Sequence, residues 1–386
     1  MLGIVYWQDS HGGTIPQDAD TAIKVATSVG TIIGQAVFGY LADLLGRKRM
    51  YGVELLIIVT TTLCQALCAP SVAVSFVGLL VFWRVLMGIG VGGDYPMSAV
   101  ITAEFASTER RGAMIAAVFA MQGIGQAAAA LMALVVTEAF KESLLTVKSV
   151  DQCGPECIRS VDMMWRIILG FGGIPGWFAL YYRLTIPETP RYTFDVLLDI
   201  EKAAADSRRY RSGKKGEARV DKLAQARTRQ QMRVYSRPKP SVMEQLRFFA
   251  QWKNGLKLFG TAGSWFFLDI AFYGLGLNTG SILSVIGFNK KDNVYSLLKN
   301  AAVGQLVLVC AGAIPGYWVT VATVDWLGRR PIQIMGFTIL TILFAIIGFR
   351  YDYISQGGLL ALYILSQFFF NFGACLIPTE PPPHPL

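Results

Sequence analysis

Nine apolar runs divide this chain, at about 20–43, 51–70, 76–104, 112–138, 164–186, 254–280, 297–324, 331–349 and 358–378. Most reach the roughly 18 to 25 residues that an α-helix needs to cross the hydrocarbon core of a bilayer. Of the 386 residues 53% are hydrophobic and 16% are charged, where a soluble chain carries nearer a quarter charged. The sequence therefore predicts an all-α polytopic membrane protein with about nine spans. The first run carries Lys24, Thr27, Ser28 and Gln35, so it is expected to line an interior rather than face lipid.

Charge orients the spans. The turns after the first, third and seventh runs read GRKRM, TERRGA and LGRRP, and segment 187–250 holds 15 Lys/Arg against 8 Asp/Glu. If the spans alternate, all four segments share one side, which the positive-inside rule makes cytoplasmic. Topology thus accounts for the net charge of +9 without a nucleic-acid partner. The basic segment 187–250 reads as a cytoplasmic linker between an N-terminal bundle, 1–186, and a C-terminal bundle, 251–386. The only histidines, His11 and His384, lie in the terminal segments, so no His-based metal or catalytic cluster is expected, and nothing calls for a cofactor. Cys153 and Cys157 fall in an external loop, CGPEC, as a disulfide or as two free thiols.

One apolar run holds an acid. In VLMGIGVGGDYPMSAVITAEF, Asp94 lies about ten residues from the run's Phe105 end, or roughly 15 Å along a helix. Placing a carboxylate at that depth costs about 3 kcal/mol even on the most lenient insertion scale, so it marks a transport or relay site by default. Gly88, Gly90, Gly92 and Gly93 let another helix approach closely and strip water from the acid, which suits a proton carrier. Arg84 on the same run is either a partner for the charged form of Asp94 or a gate or helix-end residue.

The turns also repeat. Residues 43–47 read DLLGR and 325–329 read DWLGR, at matching ends of two spans, as in transporters built from two related bundles. These turns, with R-x-x-x-G-x-G-x-G-G from Arg84, E-x-x-x-x-x-R-R-G from Glu104 to Gly112, and PETPRY at 187–192, resemble the major facilitator superfamily. Within it, GVGGDYPMSAVITAEF, WFFLDIAFYG and FFFNFG look like the phosphate:proton symporter family of fungi and plants. That resemblance implies the major facilitator fold with twelve helices, so the chain is read as carrying nine of them, without the first and the last two. After Gly373 the family pattern gives way to ACLIPTEPPPHPL.

Trp265, Asp269 and Tyr273 recur every fourth residue, so they form one stripe about 12 Å long on a helix. With Tyr95 and Gln122 they offer neutral donors around one acceptor. Donors suit a tetrahedral oxyanion, and a carboxylate accepts from a P–OH group, which dihydrogen phosphate has and sulfate lacks. Gln122 is equally readable as helix–helix glue. The resemblance implies the same five phosphate contacts and a sixth from an Asn in the ninth run, for which Asn371 is the candidate. It also makes Asp94 a proton-translocation residue. Asp43, Arg47, Glu104, Arg111, Asp325 and Arg329 are expected to form a cytoplasmic gate.

The leading expectation is proton-coupled uptake of inorganic phosphate, or of arsenate, by alternating access in a multi-pass, plasma-membrane protein that is not an enzyme. A sugar or organic-solute facilitator is the rival of the same class; Asp269 argues against it. A non-transporting protein, either a phosphate sensor or a truncated fragment, is the rival of a different class.

Overall fold

A computed structural model describes residues 1–186, 188–189, 242–288 and 293–374, and these are helical with short turns and no strands. In chain order the long helices are α1 (Gln17–Leu45), α2 (Arg47–Ala66), α3 (Phe76–Phe105), α4 (Arg111–Ala139), α5 (Pro155–Phe171) and α6 (Gly173–Thr185). There follow α7 (Val242–Ala250), α8 (Trp252–Leu277), α9 (Thr279–Ile286), α10 (Val294–Leu308), α11 (Ile314–Leu327), α12 (Arg329–Arg350) and α13 (Gln356–Phe369). Each of the nine apolar runs contains a helix among the described residues, and α5 with α6, and α10 with α11, each build one of them.

Among the described residues, seven helices are long and apolar enough to cross a bilayer. The two runs outside that count have local causes. In α2 the first turn is Arg-Lys-Arg and Glu54 lies in the apolar stretch. The last run does not continue to 378 as one helix: after α13 the backbone leaves helical angles at Phe372 and Gly373. Most of the linker, 187 and 190–241, lies outside the described residues.

The repeated turns adopt one geometry. Gly46 ends α1 with φ 100° and ψ 145°, and Gly328 ends α11 with φ 83° and ψ 153°. Side chains rarely take positive φ, so glycine is needed at the same place in both copies of D-x-x-G-R. With helices alternating in direction, the basic turns at 46–49, 106–111 and 328–330 collect at one end of the bundle. The Cys153–Cys157 disulfide, Cα–Cα 5.3 Å, lies at the other and opens α5.

The helix faces divide by polarity. On α8, Phe266, Phe267 and Ile270 are exposed as a lipid-facing surface should be, while Leu268 is buried. The seam between α1 and α3 is built of glycine. A Cβ on Gly30, Gly34, Gly88 or Gly92 would fall 2.1–2.2 Å from a backbone carbonyl oxygen of the facing helix. Backbone therefore touches backbone along about two turns of each helix. On its other side α3 meets α2, and Gly93 lies against Glu54 of α2 and Phe38 of α1.

Candidate functional site

Asp94, eleven residues before the end of α3, is half-exposed and paired. The guanidinium of Arg183, on α6, holds its Oδ1 at 2.5 Å, and the Ser98 hydroxyl lies 3.3 Å away. Arg183 also stacks on the Tyr51 ring, 3.8 Å from its centroid. Arg84 does not serve this acid. Ten residues along one helix separate the two by roughly 15 Å, and Arg84 Nη1 donates to the Ile23 carbonyl at 2.9 Å, which is a helix–helix bond. Arg183 was legible in principle, since a cation within the run 164–186 calls for an acid partner.

Glu54 is the acid that sequence reasoning passed over. It is fully buried on α2, neither carboxyl oxygen has a hydrogen-bond partner, and a Cβ on Gly93 would come 2.8 Å from its Oε1. Glycines at 90 and 93 thus admit a second carboxyl beside the first rather than isolating Asp94. Pro96 follows within the same helix and removes a backbone donor one turn after Gly92.

One residue beyond Asp94 the two halves converge. Tyr95 (α3), Gln122 (α4), and Trp265, Asp269 and Tyr273 (α8) line one cavity with Phe119, Leu268, Phe272 and Phe370. Five of the six expected contacts therefore face one another across the halves. The cavity is small, about 20 Å³, room for a single water. It adjoins a larger space of about 200 Å³ lined by Asp94, Tyr95, Ser98, Val118, Phe119 and Gln122. Ser98 and Val118 are nearer the basic end than Tyr95 and Gln122, so that space extends toward the basic turns.

Asn371 is not in this lining. It is buried just after α13 against α11: its Nδ2 donates to Gln367 O at 2.7 Å, and its carbonyl accepts from Thr320 Oγ1 at 2.8 Å. Phe370 takes the place facing Asp269. The two residues are neighbours on one turn, so a rotation of about 100° decides which points inward, and spacing did not reveal it. Gln122 serves both readings offered for it: it lines the cavity, and its Oε1 accepts from the hydroxyl of Tyr317 on α11 at 3.1 Å.

The expected gate resolves into two parts. Arg47 and Glu104 form an ion pair within the first half, between α2 and α3. Asp325 reaches across the halves, where its Oδ2 accepts from the Ala113 backbone N–H at 3.0 Å and caps the start of α4. Arg111 begins that helix with its Nε buried and without a hydrogen bond, and Arg329 begins α12. The side chain of Asp43 lies outside the described residues. At the disulfide end a third connection joins the halves: Glu138 on α4 accepts from Tyr295 at 2.8 Å and pairs with Lys299 at 2.6 Å, both on α10. Beside it, Val294 N–H donates to Val147 O at 3.1 Å.

A family model described as "Sugar (and other) transporter" matches residues 7–379. The chain is 53% identical over 380 residues to the repressible high-affinity phosphate permease of Neurospora crassa, covering 97% of this chain and 65% of that one. It is 48% identical to an inorganic phosphate transporter of Saccharomyces cerevisiae, covering 97% and 64%. With the low affinity inorganic phosphate transporter 4 of Petunia hybrida the identity is 37%, over 97% and 70%. The chain thus spans about two thirds of the length of the curated relatives it matches. Among solved structures, the partially occluded inward-open xylose transporter XylE of E. coli superposes with a TM-score of 0.61 at 17% identity, covering 96% of this chain and 79% of that one. That likeness establishes the fold.

Proposed function

The chain belongs to the sugar (and other) transporter family, within the major facilitator superfamily, and from that membership we propose that it forms the binding and proton-handling core of an inorganic-phosphate symporter. It is a multi-pass membrane protein of a transporter family, not an enzyme. The observation that carries the reading is the convergence of Tyr95, Gln122, Trp265, Asp269 and Tyr273 on one cavity between the halves. Phenol, amide and indole donors receive the oxyanion oxygens. Asp269 accepts from a P–OH group, so the protonated monoanion is bound and a fully ionised anion is repelled. Arsenate, alike in shape and protonation, fits the same site. Relatives named as phosphate transporters at 53% and 48% identity support phosphate over a sugar.

Proton coupling is assigned to Asp94 with Arg183. A proton on Asp94 cancels its charge and releases the guanidinium, and its loss restores the pair; breaking a partly buried pair is costly enough to bias a conformation. Glu54, beside Gly93, is the adjoining carboxyl that can take the proton onward. In the proposed orientation the basic end is cytoplasmic and the disulfide end is external, at the plasma membrane. The larger cavity then faces inward while Glu138, Tyr295 and Lys299 tie the outer ends together. Rocking of the halves exchanges that connection for an outward opening, with Asp325 and the Arg47–Glu104 pair organising the inner side.

The test is equilibrium binding of radiolabelled phosphate to the purified chain, followed by accumulation in vesicles under an imposed pH gradient. Asp269→Asn should abolish binding, and Trp265→Phe should weaken it roughly tenfold by removing one N–H. Asp94→Asn should bind phosphate but lose accumulation. Unaltered binding in Asp269→Asn overturns the site; gradient-driven accumulation by Asp94→Asn overturns the proton assignment.

A further inference from the structure

The amide of Gln122 has a donor end and an acceptor end of almost the same shape, and an anion site needs the donor end. Its partner decides which end faces the ligand. Tyr317 sits on α11 at the level of the cavity, 3% exposed, and its hydroxyl donates to Gln122 Oε1 at 3.1 Å. Its ring has little freedom, because a Cβ on Gly123 would approach Tyr317 Cδ2 to 2.9 Å. On the far side, a Cβ on Gly316 would come 2.4 Å from the Phe368 carbonyl oxygen, so α11 is held closely between α4 and the end of α13. Tyr317 is absent from the linings of both cavities, whereas Gln122 belongs to both.

We propose that Tyr317 is a positioning residue: it occupies the carbonyl oxygen of Gln122, so that only the two N–H groups of the amide remain for the bound oxyanion. A phenol is a good donor, and the carbonyl oxygen is the one acceptor that the amide has. In the opposite orientation the Gln122 carbonyl would point at the anion and repel it. The bond also runs from the first half to the second, at the point where α4 crosses α11. The donor set is thus completed by contact between the halves rather than by either half alone. This rests on the oxyanion-site reading given above.

The test is a double-mutant cycle on the full chain, reading the Kd for inorganic phosphate, the ratio of phosphate to sulfate affinity, and Tm. Tyr317→Phe keeps the ring against Gly123 and removes only the hydroxyl. It should weaken phosphate binding roughly tenfold, the equivalent of one hydrogen bond, with Tm close to the parent. Gln122→Ala should weaken binding by at least as much. In the Gln122→Ala background, Tyr317→Phe should add nothing, because its effect passes through the amide. If the two losses add, or if Tyr317→Phe binds like the parent while Gln122→Ala does not, the positioning role is overturned and the site stands. If the parent chain binds no phosphate, or Gln122→Ala leaves the Kd unchanged, the site reading falls and this proposal falls with it.

Discussion

Replacing Gly92 by alanine tests whether the α1–α3 seam holds the site in place. In an ordinary exposed helix the change is favourable by about 1 kcal/mol, because alanine loses less backbone freedom. Here the added Cβ would lie 2.2 Å from the Thr31 carbonyl oxygen, where ordinary contact begins at 3.4 Å. The helices must part by about 1.2 Å, and the obstructing atom is backbone, so no side chain can rotate away. The same seam holds Gly30, Gly34 and Gly88 at equal closeness, so separation at one turn loosens its neighbours. Overpacking of this kind costs about 1–3 kcal/mol, and the loosened contacts add to that. Against the helical gain the net loss is about 2 kcal/mol, or a fall in Tm of roughly 2–3 °C for a chain of this length. Gly125 on α4 is the control, since a Cβ there meets nothing within 4 Å and Gly125→Ala should match or exceed the parent Tm. Thermal unfolding of the two variants in the same detergent decides the matter. A Gly92→Ala protein as stable as Gly125→Ala would refute backbone contact as the basis of the seam.

Three further outcomes follow from the same geometry. Cysteines introduced at Ser149 and Ser212, with native exposed cysteines removed, should label from outside intact cells at Ser149 and not at Ser212; the reverse pattern overturns the orientation. Asp325→Ala removes the acceptor that caps α4 and should lower Tm by an amount corresponding to about 1 kcal/mol. Asp325→Asn, which keeps an oxygen, should lose less, and equal losses would remove the capping explanation. Lys299→Met deletes the cation from the Glu138–Tyr295 connection at the disulfide end and should raise the accessibility of a cysteine placed at Tyr273 to an external thiol reagent. Unchanged labelling would show that this pair does not hold the halves together.

Much of this protein was legible in composition and spacing. Hydrophobic runs of spanning length predict helices, because hydrocarbon leaves backbone groups no partner outside their own helix. The twin D-x-x-G-R turns placed a glycine at matching helix ends, and both glycines take positive φ, a backbone state that side chains rarely tolerate. The i, i+4, i+8 stripe on α8 held together for the same reason: helical pitch is a local property, so residues on one helix face are readable without the rest of the molecule. What spacing cannot supply is the rotation of one helix against another. That rotation turns Phe370 rather than Asn371 toward the cavity. It brings Arg183, 89 positions away in sequence, onto Asp94, and leaves Arg84 to bond Ile23. It also sets Glu54 beside Gly93, and Tyr317 against Gln122 across 195 positions. These pairings arise where glycines permit backbones to touch, and only the packed structure decides which side chains meet there.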